Sequence, residues 1–292
     1  MSAPDGPLAA PPPAGRSWTA AAPPSGDSPS GGSPSGGELP PGVPPAAAEI
    51  FGPALGVAIR YAELLAGPGV ERGLLGPAEA ARLWDRHLLN CGVVAELVPS
   101  PCSLIDLGSG AGLPGIVLAI LLPAVSVTLL EPMARRVTFL TECVQILGLG
   151  NAEVRRGRAE EMAGRLSADV VTARAVAPMY KLAGLAAGLV RPGGVVLAIK
   201  GAGAAAELSR ALPELRRLGA RDVEVLHAGG GRVDPAATVI RFTAGQPRNR
   251  ARRPGAPGAD GLRPGRPGPA SRGAGQPRGV PHSRGRGRRG RG

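Results

Sequence analysis

Lysine is nearly missing from this chain, with two residues against 32 arginines. Net charge is therefore a poor guide to partners. The segment 244–292 holds 13 Arg and one Asp, and the other 21 basic and 21 acidic residues cancel, so the formal charge of +12 belongs to that segment alone. An Arg/Gly stretch attracts phosphates without sequence preference. The same Arg, Gly, Ala and Pro enrichment also fits a biased coding composition, and both readings stand. Cysteine is scarce as well. Cys91, Cys102 and Cys143 are odd in number, lack metal-type or redox-type spacing and sit among apolar neighbours, which excludes a disulfide scaffold, gives no metal site and predicts reduced core thiols. The N-terminus has no basic start followed by an apolar region, and the apolar stretch from Gly115 to Val125 is about half a membrane span. A cytoplasmic protein without membrane contact, and a monomer, is the expectation.

Large apolar side chains are sparse at both ends. Residues 1–45 are mostly Pro, Gly, Ser and Ala, and 244–292 repeat that pattern with Arg added. Neither segment buries enough surface to offset the entropy of ordering, so both are read as disordered tails around one domain at 46–243. No internal repeat is visible. Within the domain, Ile50, Phe51, Leu55, Ile59, Ala62, Leu65 and Ala66 recur at helical spacing, and Gly67-Pro68-Gly69 is expected to end that helix. A second helix is expected from Pro77 through Trp84 and Leu88 to about Val98.

From Ser103 onward, short apolar runs alternate with helix-like stretches, the pattern of a parallel sheet with crossover helices. Strands are expected at 103–107, 125–130, 152–155, 168–173, 194–199, 222–227 and 238–243, with helices at 114–122, 133–147, 179–190 and 204–218 and a short turn near 160–164. The predicted fold is α/β: a Rossmann-like, mostly parallel sheet of seven strands behind an N-terminal helical preface.

The chemistry concentrates at the ends of the first two strands. Asp106-Leu107-Gly108-Ser109-Gly110-Ala111-Gly112-Leu113-Pro114-Gly115 carries glycines at alternate positions, which turns the backbone sharply and lets a ligand approach with no Cβ in the way. The carboxyl ends of strands form the ligand crevice in open α/β sheets. Gly110 to Gly115 also satisfies the dinucleotide pattern G-x-G-x-x-G, so an NAD-dependent oxidoreductase is the competing enzyme class. Two details favour S-adenosylmethionine. The dinucleotide match begins two residues after the glycine that ends the strand, and Asp106 precedes the turn. A carboxylate repels a pyrophosphate but attracts an ammonium and a sulfonium. Glu131, closing the second strand, is placed for both ribose hydroxyls, which suits either ligand.

After the third strand come Ala159 and Glu160, either at the adenine edge or at the start of a short helix. Arg174 lies in an apolar run at the end of the fourth strand and Lys200 at the end of the fifth. A buried Arg is either an ion-pair member or a ligand-facing group, and the strand-end position favours the second. Together the two cations are candidates to grip a nucleic acid beside the methyl donor. His87, between Trp84 and Leu88, reads as a packing histidine with Arg86 beside it at the cleft.

The stretches Leu83-Trp84-Asp85-Arg86-His87-Leu88-Leu89-Asn90, Asp106 to Gly115, Glu131 with Arg135-Arg136 and Phe139-Leu140, Gly157-Arg158-Ala159-Glu160-Glu161, Thr172-Ala173-Arg174-Ala175 and Ile199-Lys200-Gly201 resemble the RsmG (GidB) methyltransferases of bacteria, over about residues 48–243. The resemblance implies a class I methyltransferase that methylates N7 of a guanine in 16S ribosomal RNA, free or within the small subunit. It implies cofactor contacts at Gly108, Leu113, Ala159, Glu160 and Arg174, with Glu131 at the ribose; Asp106, Gly110 and Gly112 complete the expected site. Thr172 stands where many relatives carry Ser. Guanine N7 already presents a lone pair, so no general base is needed. No Cys follows the fourth or fifth strand, where attack at a pyrimidine carbon would call for one. Arg174 is expected to position the substrate or the methionine carboxylate, and Lys200 to meet RNA phosphate. An inactive core that binds RNA through the tail is the non-enzymatic alternative.

Overall fold

The computed structural model describes residues 39–245. The expected tails lie outside the described residues except at their inner ends, where Leu39 and Val43 pack against the core and Ala244 is buried.

Seven strands form one sheet in the order β3-β2-β1-β4-β5-β7-β6. They are β1 (Cys102–Leu107), β2 (Val125–Glu131), β3 (Ala152–Arg156), β4 (Ala168–Arg174), β5 (Val190–Lys200), β6 (Arg221–Ala228) and β7 (Ala237–Thr243). The first five pair in parallel, and β7 runs antiparallel between β5 and β6. All seven expected strands are present, most of them extended by a residue or two. β5 is longer than expected because it begins at Val190, before Pro192-Gly193-Gly194, and the pairing with β4 shifts register there. Central strands of a parallel sheet are covered on both faces, which explains the near-continuous apolar runs of β1, β4 and the second half of β5.

One face of the sheet carries the N-terminal helical region with the helices Gly115–Leu121 and Ala134–Ile146; the other carries Met179–Ala187 and Ala204–Arg217. The strand order reverses at β1, whose neighbours are β2 and β4. Such a switch point opens a crevice at the carboxyl ends of the strands.

The N-terminal helix differs from expectation. Gly67-Pro68-Gly69 does not stop it: after a break at Gly52, where φ is +48° and ψ −124°, the helix runs unbroken from Leu55 through Gly69. A widened π turn at Leu65–Gly69 accommodates the ring and missing N–H of Pro68. The stop falls at Gly73, where φ is +64°. There Leu74 N donates to Gly69 O at 2.8 Å and Gly73 N to Val70 O at 2.9 Å, the Schellman arrangement. By length and composition the helical stretch Pro45–Gly69 is apolar enough to cross a membrane. Its Phe51, Leu55, Tyr61 and Leu65 side chains are nevertheless buried in the domain core. The expected second helix is a succession of short segments: Pro77–Ala80, Trp84–Leu88, Leu89–Gly92 and Val93–Leu97.

Candidate active site

Register aligns the carboxyl ends of five strands. Leu107 pairs with Leu130 and Ala173, Glu131 with Arg156, and Arg174 with Ile199, so Glu131, Arg174 and Lys200 finish on one edge of the sheet beside the glycine turn.

The turn itself is braced from behind. Gly108, Gly110 and Gly112 adopt φ of +69°, +60° and +101°, which L side chains rarely tolerate. A Cβ on Gly108 would lie 2.8 Å from Val176 Cγ2, so the backbone there runs close under the loop after β4. Tyr61, from the N-terminal helix, donates its hydroxyl proton to Ala111 O at 2.8 Å. Nothing in the helical periodicity singled out Tyr61 from its apolar neighbours. Its partner lies 50 residues away, and only the tertiary structure reveals it.

Asp106 departs from its expected role. The carboxyl is fully buried beneath the turn, where Oδ2 accepts Gly115 N–H at 3.1 Å and Oδ1 accepts the Thr172 hydroxyl at 3.1 Å. Burial pushes it up to about 6, against the pull of those bonds. It therefore does not face a ligand ammonium; it fastens the start of the helix Gly115–Leu121 to the sheet. This also answers the dinucleotide alternative. A pyrophosphate would sit at the helix N-terminus, and that place is filled by the Asp106 carboxylate.

Glu131 is placed as expected at the end of β2. Its Oε2 accepts Gly110 N–H at 3.0 Å, its Oε1 accepts Met133 N–H at 2.9 Å, and Arg136 Nη1 stands 3.8 Å from Oε2. It lines a cavity of about 300 Å³ together with Gly108, Arg136, Ala159, Glu160 and Val176. The structure thus brings together Gly108, Glu131, Ala159 and Glu160 from the expected cofactor set. It does not bring Asp106, Gly110, Gly112, Leu113 or Arg174 to the lining. Gly110 hands its N–H to Glu131, Gly112 is wedged against Ile116 and the Tyr61 hydroxyl, and Leu113 is buried in the core.

A second cavity, of about 790 Å³, adjoins the first, with Ala175 lining both. Ala175 has φ of +56°, the left-handed region that costs a non-glycine residue about 1–2 kcal/mol. Arg86, His87, Asn90, Arg174, Lys200 and Thr238 are among its lining residues. Among the described residues, Arg174 has no carboxylate within 4.0 Å. Its guanidinium instead donates to His87 Nδ1 at 2.9 Å and contacts Arg86 O at 3.5 Å and Cys91 Sγ at 3.7 Å. An Arg so placed has its charge available to an anion.

Lys200 is committed otherwise. Its ammonium donates to Glu207 Oε1 at 2.8 Å and to Ala177 O at 3.0 Å, and Glu207 also accepts Met179 N–H at 2.6 Å. The side chain is about nine-tenths buried. The expectation that Lys200 meets RNA phosphate is corrected accordingly: its charge is already neutralised by Glu207, and it ties the loop after β4 to the helix Ala204–Arg217. Cys91 and Cys143 are buried thiols as expected, pushed up by burial to about 11 and about 12, and Cys102 is half-buried.

Comparison with known proteins supplies a family. Residues 55–233 match GidB, described as rRNA small subunit methyltransferase G. A ribosomal RNA small subunit methyltransferase G from Thermobifida fusca is 60% identical over 197 residues, covering 68% of this chain and 83% of that protein. Proteins of the same name from Streptomyces avermitilis and Mycolicibacterium gilvum are 53% identical over 201 residues and 52% over 210. The first match covers 68% of this chain and 84% of its relative, the second 70% and 92%.

Proposed function

The chain belongs to the GidB family, rRNA small subunit methyltransferase G, and from that premise we propose that it transfers a methyl group from S-adenosylmethionine to N7 of a guanine in 16S ribosomal RNA. The observation that carries the reading is the pair of adjoining cavities at the carboxyl edge of the sheet. The smaller holds the cofactor and the larger receives the nucleotide, with Ala175 at their junction.

The donor set of the smaller cavity fits the cofactor. Glu131 keeps lone pairs for ribose hydroxyls after accepting two backbone N–H groups. Ala159 and Glu160 lie beyond it at the adenine position, and Gly108 lets the backbone pass close. S-adenosylmethionine supplies a methyl carried on a sulfonium. The chain's own residues have to bind, orient and exclude water, because guanine N7 presents its lone pair without losing a proton. A base or nucleophile is not called for, and Cys91, the thiol closest to Arg174, is held protonated by burial. Arg174, which meets no described carboxylate within 4.0 Å, presents its charge in the larger cavity to an anionic oxygen of substrate or cofactor. We propose further that the protein works in the cytoplasm on the small ribosomal subunit, as a monomer without membrane contact.

Mapping methylated guanines in 16S RNA from cells with and without the gene tests the assignment. Loss of one N7-methylguanine on deletion, restored by the gene, is expected. An unchanged methylation map overturns it.

A further inference from the structure

Arg174 is held by a side chain that the sequence marks as ordinary packing. His87 sits between two partners: its Nε2 is 2.8 Å from Glu79 Oε2, and its Nδ1 is 2.9 Å from Arg174 Nη2. A guanidinium can only donate, so Nδ1 has to be the bare, accepting nitrogen and Nε2 the protonated one that donates to Glu79. Glu79 thereby selects the tautomer, as a carboxylate does when it orients an imidazole from behind. The remaining contacts of Arg174 are a backbone carbonyl and a thiol. No described carboxylate competes for it within 4.0 Å.

We infer that His87, its tautomer set by Glu79, is the positioning residue for Arg174, holding the guanidinium at the mouth of the larger cavity so that its uncompensated charge meets an anionic oxygen, either a phosphate of the RNA or the carboxylate of the methyl donor. The inference rests on the methyl-transfer reading above. Arg174 is long and flexible, and without an acceptor on this side its guanidinium is free to leave the cavity wall. A misplacement of about 1 Å at a gripping residue is enough to cost about a hundredfold in rate.

The arrangement works only with neutral His87. The charged groups facing the ring are Glu79, Arg174 and Arg86. Burial and Arg174 hold the imidazole below the usual histidine value, against Glu79, so His87 is neutral at pH 7. As pH falls through that lowered value, Nδ1 gains a proton, loses its acceptor role and becomes a cation against Arg174.

The test uses the full-length protein with 30S particles lacking the methyl mark, comparing wild type, His87→Ala and His87→Asn. The amide oxygen of Asn stands near the former Nδ1 and can accept from Arg174. His87→Ala is expected to lower kcat/KM about 10- to 100-fold with little change in melting temperature, and His87→Asn to recover most of that loss. The wild type should lose activity on the acid side, and His87→Asn should not. Calorimetry separates the two anions: a weaker Kd for S-adenosylmethionine in His87→Ala assigns the carboxylate, and a raised KM for 30S particles at unchanged Kd assigns the phosphate. His87→Ala with wild-type kcat/KM and the same acid limb overturns the inference, as does His87→Asn no better than His87→Ala. Nitrogen-15 NMR of the ring reads the arrangement without turnover, and an Nδ1-protonated tautomer at pH 7 overturns it too. An inactive wild type with the expected tautomer would strike the methyl-transfer reading instead.

Discussion

Replacing Glu131 by Gln changes one oxygen into a donor and leaves the volume of the side chain almost untouched. A carboxylate offers about four lone-pair positions. Two are taken, by Gly110 N–H at 3.0 Å and Met133 N–H at 2.9 Å, one on each oxygen. Each oxygen therefore keeps one position, and Glu131 lines the smaller cavity, where two ribose hydroxyls need acceptors. In Glu131→Gln the NH2 group faces one of the two backbone donors, so that N–H loses its partner at a cost of about 1–3 kcal/mol to the fold. One hydroxyl of the ribose also loses a charged acceptor, worth about 1.5–3 kcal/mol of binding. That corresponds to a Kd for S-adenosylmethionine roughly 10- to 100-fold weaker. Titration calorimetry on wild type and variant gives the binding change, and urea unfolding gives the stability change separately. Should the variant bind the cofactor as tightly as wild type, Glu131 does not hold the ribose and the reading of the smaller cavity fails.

Gly115→Ala would place a Cβ 2.3 Å from Leu129 Cδ2 and 2.6 Å from Asp106 Oδ2, between two packed walls. Overpacking of this kind costs about 1–3 kcal/mol, so the urea midpoint should fall; an unmoved midpoint refutes the packing argument. Asp106→Asn should fold, since its amide oxygen takes Gly115 N–H while its NH2 donates to Thr172, whose hydroxyl rotates to accept. A carboxyl raised to about 6 in the fold contributes stability below its unfolded value near 4 that is lost as pH rises through 6, roughly 3 kcal/mol in all. Unfolding at pH 4 and pH 7 should then show the Asn variant gaining on wild type at the higher pH, and a pH-independent difference contradicts this. Arg174→Ala, with no described carboxylate partner to strand, should keep its melting temperature and lose methyl transfer to 30S particles; full transfer by that variant removes Arg174 from the site.

By itself the sequence determined the alternation of strands and helices, the glycine turn between Asp106 and Gly115 and the place of Glu131 at a strand end. Each of these is local: a period of two or 3.6, a run of apolar residues, a backbone that has to turn where φ is positive. Among the local signals that misled was Pro68, because a π turn takes up the missing donor and the end of the helix waits for Gly73. Only the tertiary structure decided where the charges point. Asp106 faces inward because Gly115 and Thr172 supply donors beneath the turn, the second of them 66 residues on. Lys200 is paired because the helix after it brings Glu207 to 2.8 Å, and Arg174 meets no described carboxylate: the side chain it donates to is the imidazole of His87, 87 residues earlier. Burial makes an ionisable group depend on the partners that the fold brings to it, and those partners are fixed by strand order and register, which no local pattern encodes.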